Sequence, residues 1–141
     1  MKPTVFHYHR LVKSEDLNHH RTLFAGRCAE WFVEAGFVAV ASILPANSIV
    51  CVKIHGLSFT SPMRSGDIAH FESKIVDTGR TSLKVYVALR RSFDQDPIMT
   101  GFITFVHVDQ AGHPLPHNIV LELIDQIDLD LNEQARKLSK D

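Results

Sequence analysis

Cysteine is scarce here. The 141 residues hold only Cys28 and Cys51, far apart in sequence and each in apolar surroundings. That pattern excludes a disulfide scaffold and fits reduced, buried thiols. Strong charge is missing too. The net charge is −1 with histidine neutral, and no basic run is longer than Arg90-Arg91. Electrostatic capture of nucleic acid or of an anionic membrane is therefore not expected. The longest apolar stretch, Ala35 to Pro45, is too short to span a bilayer. The N-terminal MKPTVFHYHR lacks an apolar core of signal-peptide length, so the expected location is cytoplasmic. No GxSxG, Walker loop, GxGxxG, CxxC or HExxH occurs. Nucleophilic serine chemistry, nucleotide binding and zinc binding thus lack a sequence motif. Nine histidines are present. His7 and His9 share a strand face and His19 and His20 share a loop, but no carboxylate stands at metal-ligand spacing, and no metal site is expected. Repeats, low-complexity segments and linkers are also absent, which leaves one domain over 1–141.

What is present reads as α+β. Val5 to Val12 alternates loosely as a first strand, and Ser14 to Thr22 is a polar loop whose Thr22 could cap a helix. From Leu23 to about Ile43 runs one long helix, apolar on nearly every side and stopped by Pro45 and Asn47. Such a helix must be surrounded by protein. Strands follow at hairpin spacing: Ser48 to Ile54, a short Leu57-Ser58-Phe59 piece, Ile68 to Asp77, Ser82 to Arg90 and Ile98 to Val108. Ser82 to Arg90 alternates most cleanly, with Leu83, Val85, Val87 and Leu89 on one face. Strands joined by short turns pair antiparallel, so the simplest architecture is a curved antiparallel sheet wrapped around the one long helix. The last strand is apolar on both faces, which implies cover by a second copy and at least a homodimer. A C-terminal helix is expected within an extension of about 119–141.

Two features could carry chemistry. The first is the helix start at Ala25-Gly26. A helix N-terminus exposes unpaired N–H groups and a partial positive charge, and a glycine there lets a ligand carbonyl approach. This is oxyanion-hole geometry, although the same residues also suit a plain helix start packed on a strand. The second feature is a pair of acids in the apolar helix, Glu30 and Glu34, four residues apart and on one face. Burial moves such acids toward the range of a general base. They could equally pair with Arg27 along a polar seam.

The run DLNHHRTLFAGRCAEWFVEAG resembles the start of the hotdog-fold acyl-CoA thioesterases of the acyl-CoA hydrolase branch. The resemblance continues through Leu57-Ser58-Phe59, Pro62, Gly66-Asp67, Gly79-Arg80-Thr81-Ser82-Leu83 and Pro114-Leu115-Pro116, covering roughly residues 5 to 118. It implies hydrolysis of an acyl-CoA thioester to a free acid and CoA, with CoA as part of the substrate and no other cofactor. It implies that N–H groups near Gly26 polarise the thioester carbonyl, that Asn18 positions water or substrate, and that Ala25, Val33, Arg80, Thr81 and Ser82 contribute to substrate binding. It places the active site between two subunits, with dimers assembling into hexamers as a trimer of dimers. The sequence departs from the family where the catalytic acid belongs, because that position is Val33. Glu34 points about 100° away from it, and Glu30 lies roughly one turn nearer the helix start. A non-hydrolytic acyl-CoA-binding protein is the alternative that Val33 raises.

Overall fold

The computed structural model describes residues 1–138. Five strands form one antiparallel sheet: β1 (Phe6–Leu11), β2 (Ile49–His55), β3 (Ile68–Thr78), β4 (Ser82–Arg91) and β5 (Met99–His107), in the spatial order β1-β3-β4-β5-β2. The long helix α1 (Ala25–Ala41) lies across this sheet and touches all five strands. This is the expected hotdog arrangement. The period-two alternation explains it. Leu83, Val85, Val87 and Leu89 of β4 and Ile103 and Phe105 of β5 all point at α1, and all are buried. Trp31, Phe32, Ala35 and Ala39 meet them from the helix. Gly36 permits the closest approach, since a Cβ there would lie 2.8 Å from Ile103 Cδ1.

Several boundaries differ from the sequence reading. The helix begins at Ala25, two residues later than expected, and Thr22 does not cap it. The Leu23 N–H donates to the Met63 carbonyl at 2.8 Å and the Phe24 N–H to the Asp16 carbonyl at 2.9 Å, which holds both residues outside the helix. Thr22 is occupied instead by Asn18. The Leu57-Ser58-Phe59 piece forms no strand, because Gly56 at φ +61° turns the chain away from the sheet.

The C-terminal helix α2 spans Gln126–Arg136 only. Residues 119–125 are not helical. Ile119 and Leu121 pack against the core, while the Glu122 N–H donates to the Met1 carbonyl and the Met1 ammonium to the Val120 carbonyl. The part of the expected extension at 139–141 lies outside the described residues.

The argument for a dimer from the last strand also needs correction. Its outer face is covered within the chain, since Phe102 and Tyr86 pack with Val76 against Leu131 and Ala135 of α2. The unpartnered surface is elsewhere. β2 is a sheet edge, and its Val50, Val52 and Ile54 are exposed. A free, apolar edge of this kind is a template for pairing with another strand.

Candidate active site

The start of α1 opens onto a cleft of about 180 Å³. Asn18, Thr22 and Ala25 form one wall, and Ser58, Phe59 and Met63 face them. Local hydrogen bonding fixes the first wall. Asn18 Oδ1 accepts from the backbone N–H of His20 at 2.8 Å and of Thr22 at 3.2 Å, while its Nδ2 donates to Thr22 Oγ1 at 3.1 Å. The result is a tight turn in which Arg21 takes φ +59°. Asn18 is thus both a turn former and a member of the cleft wall.

The helix start itself carries no side-chain cap. Cys28 is the first residue whose N–H bonds back into the helix, to the Phe24 carbonyl at 3.0 Å. The N–H groups of Ala25, Gly26 and Arg27 therefore have no intrachain acceptor among the described residues, as expected for the first turn of a helix. Gly26 leaves room here for a neighbouring ring. A Cβ would lie 2.7 Å from Phe24 Cε2, because the Phe24 ring folds over the first turn.

The acids stand apart from this cleft. Glu34 lies eight residues beyond Gly26, about 12 Å along the helix axis. Its carboxylate accepts a short hydrogen bond from the Tyr8 hydroxyl, and Arg10 Nη1 sits 3.9 Å from the same oxygen. Arg10 also packs over the Trp31 ring, 4.9 Å from its centroid. Burial, and then the hydrogen bond to Glu34, raises the Tyr8 pKa above its usual value of 10.0. Glu30 is exposed and makes no ion pair among the described residues. Arg27 pairs with neither glutamate. It reaches the buried Asp16 at 3.6 Å, an acid that sequence reasoning passed over as part of a polar loop. Val33 is half-buried against the core. The one titratable side chain that lines the cleft is Cys28, and burial pushes its thiol up to about 11, so it is protonated at neutral pH.

Arg80 and Ser82 line a different place, a groove of about 850 Å³ between the β3–β4 turn, β2, β5 and the end of α2. Thr81 lies in the same turn, its carbonyl accepting from the His107 N–H at 2.8 Å. Lys53, Lys84 and Arg136 also line the groove, against a single acid, Asp77. These three cations are separated in sequence, and strand register brings them together. His55 hydrogen-bonds Thr104 Oγ1 at 2.7 Å, and its pKa is lowered by burial and then by Lys53 and Lys84. One chain thus carries an uncapped helix start beside Asn18 and, apart from it, a cationic groove around Arg80.

Comparison with known proteins accords with this geometry. Residues 20–97 match the family model of the thioesterase superfamily. A protein of Bacillus subtilis named as an uncharacterized acyl-CoA thioester hydrolase is 25% identical over 105 residues, covering 72% of this chain and 60% of that protein. One from Zymomonas mobilis is 30% identical over 101 residues, covering 67% and 66%. The chain therefore spans less than two thirds of the length of these curated relatives. A solved apo-hexameric acyl-CoA thioesterase superposes with a TM-score of 0.83 at 28% identity, over 94% of this chain and 86% of that one. With more than half of its length matched, this chain belongs to the thioesterase superfamily.

Proposed function

We propose that this protein is an acyl-CoA thioesterase, hydrolysing the thioester to a free acid and CoA at a site shared by two copies of the chain. The observation that carries the reading is the uncapped first turn of α1 beside Asn18, at the mouth of a cleft lined by both polar and apolar side chains. The N–H groups of Ala25 and Gly26 suit the oxygen of a thioester carbonyl as it gains charge. A carboxylate takes a proton from water, and the resulting hydroxide attacks the carbonyl carbon. The tetrahedral oxyanion rests on the helix start, and its collapse breaks the C–S bond and expels CoA as the thiolate. Cys28 is no candidate nucleophile, because its thiol stays protonated.

The requirement for two copies follows from reach. A general base must lie within hydrogen-bond distance of its water. Glu34 is too far along its own helix to serve its own cleft. A two-fold axis that pairs β2 with its copy covers the exposed Val50, Val52 and Ile54. The paired strands then run antiparallel, which brings the start of α1 in one chain toward the later turns of α1 in the other. Glu34 of the second copy becomes the base, and Glu30, one turn above the helix start, is the second choice. The cations Arg80, Lys53 and Lys84 suit the phosphates of CoA, with Thr81 and Ser82 supplying polar contacts. The hexamer of the superposed thioesterase supports further assembly of such dimers.

The test is release of CoA from acyl-CoAs of short, medium, long and aromatic chain, read with a thiol reagent against a protein blank that subtracts the exposed Cys51. Release above background is the expected outcome, and none across the panel rejects hydrolysis. Val33 favours a second reading, a protein that binds acyl-CoA without cleaving it. Calorimetric binding with no turnover, together with activity gained in Val33→Asp, would establish that reading instead.

A further inference from the structure

The face of the sheet turned away from α1 carries a cluster that neither the cleft nor the groove uses. Along β1 the side chains of Phe6, Tyr8 and Arg10 turn inward, and His7 and His9 turn outward and are exposed. The register with β3 sets His9 opposite His70 and His7 opposite Glu72. A His-x-His strand thereby meets a His-x-Glu strand on one surface.

Three donor atoms converge. His7 Nδ1 and His70 Nε2 are 2.9 Å apart. Glu72 Oε1 lies 3.9 Å from the first and 4.0 Å from the second. The circumcentre of a triangle with sides 2.9, 3.9 and 4.0 Å is about 2.1 Å from each corner. That distance matches the bonds of Zn2+ to imidazole nitrogen and carboxylate oxygen, roughly 2.0–2.2 Å. We propose that His7, His70 and Glu72 form a binding site for a divalent late first-row transition ion such as Zn2+.

The surroundings fit this assignment. Two imidazoles in contact at 2.9 Å share one proton between facing nitrogens. An ion at the centre takes the place of that proton, which moves to the other nitrogen of its own ring, so each imidazole stays neutral with one N–H. The His9 ring stacks on the His70 ring with centroids 4.3 Å apart, which fixes the plane of the more buried ligand. The second carboxylate oxygen of Glu72 faces Arg90 Nη1 at 2.8 Å, so Oε1 is the oxygen left for the ion. Two imidazoles and one carboxylate favour zinc, nickel or copper over magnesium or calcium, which prefer all-oxygen shells. The exposed side of His7 leaves room for water as a further ligand. An ion bound here ties the edge strand β1 to β3.

Untagged protein, stripped with a chelator and dialysed, would be titrated with Zn2+ by calorimetry and with Co2+ by absorption spectroscopy. The expected result is one ion per chain and a thermal midpoint that rises with added Zn2+. Glu72→Gln should weaken uptake by roughly 10–100-fold or more. His70→Gln should abolish it, with circular dichroism in chelator confirming the fold. His7→Gln, on an exposed ring whose loss leaves the core intact, should abolish it too. His113→Gln alters a histidine that also lies beside a carboxylate, Asp109 at 3.7 Å, and should change nothing. No stoichiometric uptake by the wild type, or uptake that survives both His7→Gln and His70→Gln, overturns the assignment.

Discussion

Replacing Glu34 with glutamine separates two roles that one side chain can hold. The substitution keeps the shape and removes the charge. In the fold Glu34 accepts a hydrogen bond from Tyr8 and lies 3.9 Å from Arg10 Nη1, with its side chain 45% exposed. A hydrogen bond to a charged group contributes roughly 1.5–3 kcal/mol, and a half-exposed ion pair about 0–1 kcal/mol. Glutamine still offers Tyr8 an oxygen, so the structural loss should be on the order of 1–2 kcal/mol, or roughly 3–8 °C in thermal midpoint. Loss of a general base is a larger effect of another kind, about 10²–10⁴ in kcat, equivalent to about 3–5 kcal/mol of barrier. Tyr8→Phe is the control, because it removes the same hydrogen bond and leaves the carboxylate. CoA release and thermal midpoints would be measured for wild type, Glu34→Gln, Glu30→Gln and Tyr8→Phe. The expectation is a midpoint shift in Tyr8→Phe at least as large as in Glu34→Gln, with kcat collapsing only in Glu34→Gln. Subunit mixing then reports where the base acts. A mixture of Asn18→Ala and Glu34→Gln chains regains activity if Glu34 serves the neighbouring copy, and gains none if the site lies within one chain. A kcat in Glu34→Gln within about a factor of three of wild type refutes the assignment and leaves Glu34 as a support for Tyr8 alone.

Other consequences follow from packing and titration. Gly101→Ala would place a Cβ 3.0 Å from Phe32 Cζ and 3.2 Å from the His55 carbonyl oxygen, and the backbone cannot yield there. It should destabilise by about 1–3 kcal/mol in urea unfolding. Lys74→Met would strip the partner from Asp128, whose carboxylate is 2.5 Å from Lys74 Nζ and lies in a buried residue of α2. Stranding that charge should cost roughly 3 kcal/mol and raise hydrogen exchange across Gln126–Arg136 before the sheet responds. Native protein should withhold the Cys28 thiol from a labelling reagent until it unfolds. Folding raises the Cys28 pKa from 9.0 to about 11, so the thiol's stabilising contribution is complete below pH 9 and lost as pH climbs toward 11. Cys28→Ala should flatten that part of the stability profile.

The architecture was legible along the chain because it rests on local periodicity. Alternation at Leu83, Val85, Val87 and Leu89 and an all-round apolar run from Leu23 to Ile43 require a sheet on a central helix, whatever else is true. The resemblance that opens with the run from Asp16 to Gly36 held as well, with the family model matching residues 20–97. Element ends and contacts were less legible because distant partners set them. The helix starts at Ala25 since Met63 and Asp16 claim the preceding N–H groups. The second apolar face of β5 is covered by α2, which sequence spacing alone could not place there.

The site divides along the same line. Residue type marked Gly26, Glu30 and Glu34 as candidates, and the family resemblance added Asn18 and set Val33 where an acid was expected. Only the tertiary structure decided that Glu34 faces Tyr8 and Arg10 rather than its own cleft, and that Lys53 and Lys84 join Arg80 in one groove. The same holds for His7, which lies more than sixty residues of chain from His70 and Glu72 and meets them through strand register. Periodicity is a property of neighbours in sequence and survives unfolding as a pattern. Convergence of charges depends on which strands pair and at what register, and that is fixed only when the whole core closes.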